Sequence, residues 1–161
     1  MVDTYLSPED FKAFVESLPR RRMAAGAIIT DESDRLLIVK PNYKSGWSLP
    51  GGTVEAGESP QEGCFREVLE EVGLDLPRGR MLLVFHGLNM GEWGDSAYFM
   101  YDGGSISSDA PITLQEEELT DYRFVPLTEL DGFLSPGFSD RLRQAHDVRG
   151  TDAVIELSSH G

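Results

Sequence analysis

The sequence predicts an α/β fold, a mixed sheet covered by helices. Three observations carry this. Two apolar runs, Met23 to Thr30 (MAAGAIIT) and Leu36 to Lys40 (LLIVK), flank a polar turn, as the arms of a buried hairpin would. The stretch from Ser59 to Gly73 has helical periodicity and a signal at each end. The chain has 161 residues, 40% of them hydrophobic, which is enough for one domain with a real core. That domain is expected to occupy 1–161.

Taken in order, the first element is a helical extension over about 7–18. Ser7 can cap it, Pro8 suits the first helical position, and Asp10 falls in the first turn. Phe11, Phe14, Val15 and Leu18 then recur at helical spacing, before Pro19 and the basic run Arg20-Arg21-Arg22. The hairpin follows, with Asp31 to Arg35 as its turn. PNYKSG reads as a loop, and Trp47-Ser48-Leu49 as a short strand that stops at Pro50-Gly51-Gly52. Beyond the Ser59–Gly73 helix, strands at Met81 to Leu88 and Ser96 to Tyr101 flank a loop at Asn89 to Asp95. Gly103-Gly104 then opens a long polar loop. Tyr122 to Val125 is a further strand. Ser139 to Arg149 is a terminal helix with Leu142, Ala145 and Val148 inward, and Ala153 to Leu157 is a last edge strand before a loose tail, SSHG.

Composition narrows the function. The net charge of −14 argues against non-specific binding of long nucleic acid or of an anionic membrane. A phosphate-bearing small molecule stays open, provided cations mediate the contact. Cys64 is the only cysteine and cannot form an internal disulfide, which fits a reducing compartment. MVDTYLSPEDF lacks a charged-then-apolar leader, and no apolar run approaches a membrane span, so a cytoplasmic location is expected.

The Ser59–Gly73 helix carries an unusual load. Ser59-Pro60-Gln61-Glu62 forms a capping box and Gly73 a C-terminal stop. Phe65, Val68, Leu69 and Val72 make one apolar stripe. Glu67, Glu70 and Glu71, also at i, i+3 and i+4, make a second on another side. Stacked glutamates cost an isolated helix roughly 0.2–0.5 kcal/mol per pair. A solvated acidic face would account for the charge but not for the glycines before the helix. Hard divalent cations would relieve the repulsion, because Mg²⁺ takes oxygen ligands and completes its shell with water and phosphate.

This stretch resembles the Nudix box. Gly52, Glu58, Arg66-Glu67-Val68, Glu70-Glu71 and Gly73-Leu74 match every specified position at the required spacing over 52–74. The resemblance implies a Nudix-like α/β/α sandwich with a mixed sheet between helices, and hydrolysis of a diphosphate linked to another group. It implies that Glu67, Glu70 and Glu71 bind Mg²⁺, with Mn²⁺ a substitute, and that the Gly51 carbonyl is a further ligand. Glu67 is also the candidate base, and Arg66 would orient it. Glu58 and Arg66 read equally as a loop–helix salt bridge. One more glutamate is expected from the loop before Tyr122: Glu118, with Glu117 the alternative. His86 could assist or simply pack. Arg22 and Lys40, at strand ends near the expected cleft, could hold a phosphate or be plain surface charge. Tyr43, Trp47, Trp93 and Phe138 could stack on a base or serve packing.

The expected function is a Mg²⁺-dependent pyrophosphohydrolase. Its substrate would be a small nucleotide or nucleoside diphosphate derivative, attacked by water at phosphorus. The alternative is a nucleotide-binding sensor of the same fold that does not cut. Isoprenoid diphosphate isomerisation fits less well, because Cys64 lies within the box helix. Relatives often dimerise, so a homodimer is left open.

Overall fold

The computed structural model describes residues 5–160. The expected absence of a leader therefore rests partly on residues, Met1 to Thr4, outside the described ones. Seven strands form one mixed sheet: β1 (Arg22–Thr30), β2 (Leu36–Pro41), β3 (Gly51–Thr53), β4 (Met81–Gly87), β5 (Ser96–Ser105), β6 (Leu119–Val125) and β7 (Ile155–Ser158). Their order is β6-β2-β1-β5-β4-β7, with β3 paired to β1 off this path. The pairs β1–β5 and β4–β7 are parallel, and the others antiparallel. Among the described residues three α-helices accompany the sheet: α1 (Pro8–Ser17), α2 (Pro60–Val72) and α3 (Pro136–Asp147).

Alternation along the central strands divides the core in two. Ala25, Ala27 and Ile29 of β1 and Leu37 and Val39 of β2 face α2, against Phe65, Val68 and Val72. Ile28, Leu36 and Ile38 face the other way, onto Leu142 and Ala145 of α3. Both faces of the sheet are therefore covered, so β1 and β2 read as unbroken apolar runs. Two helix starts follow the expected chemistry: Ser7 and Ser59 each accept a backbone N–H three residues on, with proline next in the chain. The third helix starts at Pro136, before the expected Ser139, because Ser135 caps it in the same way. Ser59 and Glu62 complete the reciprocal box, and Gly73 closes α2 in the left-handed conformation at φ 72°.

Several details differ from the sequence reading. Trp47-Ser48-Leu49 supplies only a single bridge, Ser48 to Val39, and the strand is instead Gly51–Thr53. Two glycines signal a turn locally, but β1 supplies partners for them, with Gly26 opposite Gly51 and Ala25 opposite Gly52. Strand β5 runs on through Gly103-Gly104 to Ser105, with a bulge opposite Ile28/Ile29 absorbing the extra residue. The tail is also held: Ser158 belongs to β7, Ser159 N–H donates to the His86 carbonyl, and the Ser159 hydroxyl accepts from Leu88 N–H. Gly161 lies outside the described residues. Finally, α1 forms as expected but buries none of its residues; Phe14, Val15 and Leu18 are exposed. Among the described residues no helix is long and apolar enough to cross a membrane.

Candidate active site

The middle of α2 is tied to the preceding loop by Arg66. Its Nε and Nη2 grip both oxygens of Glu58 at 3.0 and 2.7 Å. Nη2 also donates to the Thr53 carbonyl at 3.2 Å. Nη1 reaches Glu67 Oε1 at 3.2 Å and Glu70 Oε2 at 3.1 Å. One guanidinium thus links β3, the loop and the acidic stripe, the bidentate task that suits arginine and not lysine. These bonds, led by those from Arg66, hold the Glu58 carboxyl down at about 2. The two sequence readings of Glu58 and Arg66 merge here, because the salt bridge itself grips the candidate base.

Glu67 and Glu71 point into a cleft of about 260 Å³, also lined by Gly51, Gly52, Thr53, Tyr43 and Glu118. Glu118 therefore joins the box glutamates, while Glu117 is not among the cleft walls. Asn42 fixes this arrangement: its N–H donates to the Glu118 carbonyl and its Nδ2 to the Glu117 carbonyl, both at 2.8 Å. Nothing in the PNYKSG loop marks Asn42 for that task, since the contact spans more than seventy residues. Glu70 is placed differently, half-exposed and drawn to Arg66.

Glu71 is buried at 5% exposure. Its Oε2 accepts from Gly51 N–H at 3.0 Å. Burial pushes its carboxyl up to about 8, and the charges of Glu67 and Glu118 add to the rise. Glu67 is raised as well, mainly by burial, against the pull of Arg66. Such a cluster, rich in hard oxygen donors and short of positive charge, fits a divalent cation such as Mg²⁺. Among the described residues no three acidic, histidine or cysteine side chains yet converge as in a closed metal site.

Gly52 is where backbone and carboxylate nearly touch. A Cβ there would sit 2.6 Å from the Glu67 carboxyl carbon, so only glycine lets Glu67 lie against β3. Gly52→Ala is expected to displace that carboxylate and lower kcat about 100-fold, with a native circular dichroism spectrum. Arg66→Ala is expected to cost activity about 10- to 100-fold, with only partial recovery in Arg66→Lys. It should also raise the pH of acid unfolding. The stability from Glu58 is present above about 4.5 and is lost as pH falls toward 2, and the variant forfeits it.

Two further cavities adjoin the acidic cleft. One of about 420 Å³ shares Gly51, Gly52, Tyr43 and Glu71 with it and extends to Lys44, Trp93 and Tyr98. The next, about 510 Å³, is lined by Arg21, Arg22, Lys44, Trp93, Tyr98 and Glu55 among others. Shared walls make the three a single trough, acidic at one end and cationic at the other. Arg22 lines the trough; Lys40 is not among its walls, its Nζ standing 6.0 Å over the Trp47 ring. Lys44 is the lysine in the trough. Trp47 and Phe138 pack in the α3-side core, and His86 pairs with Glu156 at 3.0 Å. Cys64 is fully buried and its thiol is pushed up to about 12 by burial, an inert core group.

An α/β/α sandwich with an acidic cleft beside the C-terminal half of α2 is the class that fold and site define. The NUDIX domain model matches residues 20–146, and the chain belongs to the NUDIX family, whose enzymes are Nudix-type hydrolases. It is 29% identical over 125 residues to a Bacillus subtilis (strain 168) protein provisionally named 8-oxo-dGTP diphosphatase, covering 78% of each chain. It is 35% identical over 120 residues to an uncharacterized Nudix hydrolase of Listeria monocytogenes serovar 1/2a, covering 68% of this chain and 66% of that one. The crystal structure of the MutT protein from Methanosarcina mazei Go1 superposes with a TM-score of 0.68 at 27% identity, over 81% of this chain and 97% of that one.

Proposed function

We propose that this chain is a Mg²⁺-dependent pyrophosphohydrolase that cleaves the diphosphate linkage of a small nucleotide or nucleoside diphosphate derivative. The observation that carries the reading is the trough with two ends. Glu67, Glu71 and Glu118 gather at one end, and Arg21, Arg22 and Lys44 at the other. A diphosphate bearing an organic group has the matching polarity: a metal-binding anion joined to a body that needs a pocket. The relative provisionally named a diphosphatase supports the same reaction class.

In this reading Glu67, Glu71 and Glu118, with the Gly51 carbonyl and Glu70, would hold Mg²⁺ or Mn²⁺. The bound cations would neutralise charge on the phosphates and lower the pKa of the attacking water. Glu67 accepts the proton of that water at a carboxylate oxygen. Arg66 keeps the carboxylate aimed, and its charge-assisted bonds limit its motion. Glu71 braces the turn of β3 through Gly51 N–H. Lys44 and Arg21 sit where the organic end enters and screen the negative field of the rest of the chain.

The test is a panel of nucleoside di- and triphosphates, nucleotide sugars and dinucleoside polyphosphates, with Mg²⁺, Mn²⁺ or EDTA. Phosphate is read after added phosphatase. Turnover with metal and none in EDTA is expected. Tight binding of a panel member recovered uncut would instead identify a sensor, and no binding at all would end both readings.

A further inference from the structure

We propose that Trp93 is the stacking platform for the substrate's nucleobase, and that Arg22 is its brace and not a phosphate ligand. The inference rests on the nucleotide reading above and specifies how the organic end is held.

The case begins with exposure. Trp93 is 58% exposed on the short turn Gly91–Trp93 between β4 and β5, yet it lines both of the larger cavities of the trough. A large aromatic on a surface turn is usually mobile, but this one is held on several sides. Trp93 N–H donates to the Met90 carbonyl, Gly94 N–H to the Gly91 carbonyl, and Met90 N–H to the Gly94 carbonyl. The Asp95 carboxylate accepts from Asn89 N–H at 2.9 Å, and its carbonyl accepts from Arg22 N–H. The turn is thus a closed ring of hydrogen bonds stitched to the first residue of β1.

Arg22 completes the hold. Its Nη1 donates to the Trp93 carbonyl at 2.6 Å, and its guanidinium lies 5.6 Å from the indole centroid. The carbonyl takes one of its five N–H donors and the ring takes one face, which together set where the guanidinium lies. It fixes the orientation of the ring and occupies one side of it. The remaining face is available to a flat ligand, whose base would stack there, beside Lys44 and Arg21, which line the same cavity. A cavity of about 510 Å³ falls within the range that small-molecule sites use. Stacking of a base on an aromatic side chain tolerates different bases, so the platform selects for a planar group before it selects among purines and pyrimidines.

The test uses binding and needs no turnover, so it is separable from the hydrolase reading. The protein carries Glu67→Gln to keep ligands intact and Trp47→Phe to leave Trp93 the only tryptophan. ADP, GDP, CDP, UDP and base-free tripolyphosphate are titrated in Mg²⁺, following tryptophan emission and heat. At least one nucleotide is expected to quench Trp93, while tripolyphosphate binds without quenching. Trp93→Ala, followed by heat, should weaken that nucleotide about 10- to 100-fold and leave tripolyphosphate within about twofold. Trp93→Phe should keep most of the affinity. Arg22→Ala should weaken the nucleotide alone, and Arg22→Lys should restore part of the loss. Equal loss for both ligands in Arg22→Ala would make Arg22 a phosphate ligand and overturn the brace. Unchanged nucleotide affinity in Trp93→Ala would overturn the platform. If neither nucleotides nor tripolyphosphate bound, the proposed function itself would fall.

Discussion

Glu67→Gln is expected to lower kcat by about 10²–10⁴-fold while the protein stays folded. Glutamine preserves the size of the side chain and an oxygen to accept from Arg66 Nη1, so the contact at 3.2 Å survives. What disappears is the capacity to take a proton from water and one negative charge beside Glu71 and Glu118. If Glu67 serves as base, the loss falls on kcat, and KM for the nucleotide changes little, since the organic end binds elsewhere in the trough. Steady-state phosphate release on the best panel substrate measures it. Activity within threefold of wild type would remove Glu67 from the chemistry.

Glu71→Gln is expected to move stability and activity in opposite directions. Burial lifts the Glu71 carboxyl from 4.5 to about 8 in the metal-free fold. A group whose pKa rises on folding contributes stability that is complete below its unfolded pKa and is lost as pH climbs through the folded one. The fold therefore weakens between about pH 4.5 and 8, by a few kcal/mol in order of magnitude. Glutamine does not ionise and can still accept from Gly51 N–H. In EDTA at pH 8 the variant should melt about 5 °C or more above the parent. Activity with Mg²⁺ should drop at least about tenfold, because a charged donor to the cation is gone. Saturating Mg²⁺ should restore the parent's stability by binding the folded state, and binding near pH 7 should release protons. Calorimetry in buffers of different ionisation heat reads that release. A variant that melted no higher in EDTA would show that the buried charge costs the fold nothing.

The opposing shifts set where the metal-free protein is most stable. Glu58 and Asp31 are both lowered and lose their contribution as pH falls below the ordinary carboxylate range. Asp31 earns this by accepting from Ser33 and Arg35 backbone N–H and gripping the Arg35 guanidinium at 2.6 Å. The acid and neutral windows meet near pH 5, where stability is expected to peak.

The sequence carried whatever is local in the chain. Caps at Ser7 and Ser59, the stop at Gly73 and the apolar stripe of α2 depend on residues a few positions apart, and they were readable. The order of the box likewise fixed which carboxylates to consider. The long-range contacts were not readable. Gly51-Gly52 looks like a turn until β1 is alongside, and Gly103-Gly104 looks like a break until a bulge is possible. Asn42, Lys44 and the Arg22–Trp93 brace join segments far apart in sequence. Lys44 sits in a loop whose position against the cleft the sequence does not give, whereas Lys40 falls near the end of a strand that the sequence marks.

The turn at residues 89–95 hangs between two adjacent strands, remote in the chain from α2. With Trp93 as the proposed base platform, recognition and reaction would be mounted on separable pieces of backbone. Turns of other lengths and compositions could be grafted between β4 and β5 to retarget the enzyme, while the capped helix and its arginine clasp continued to run the same chemistry.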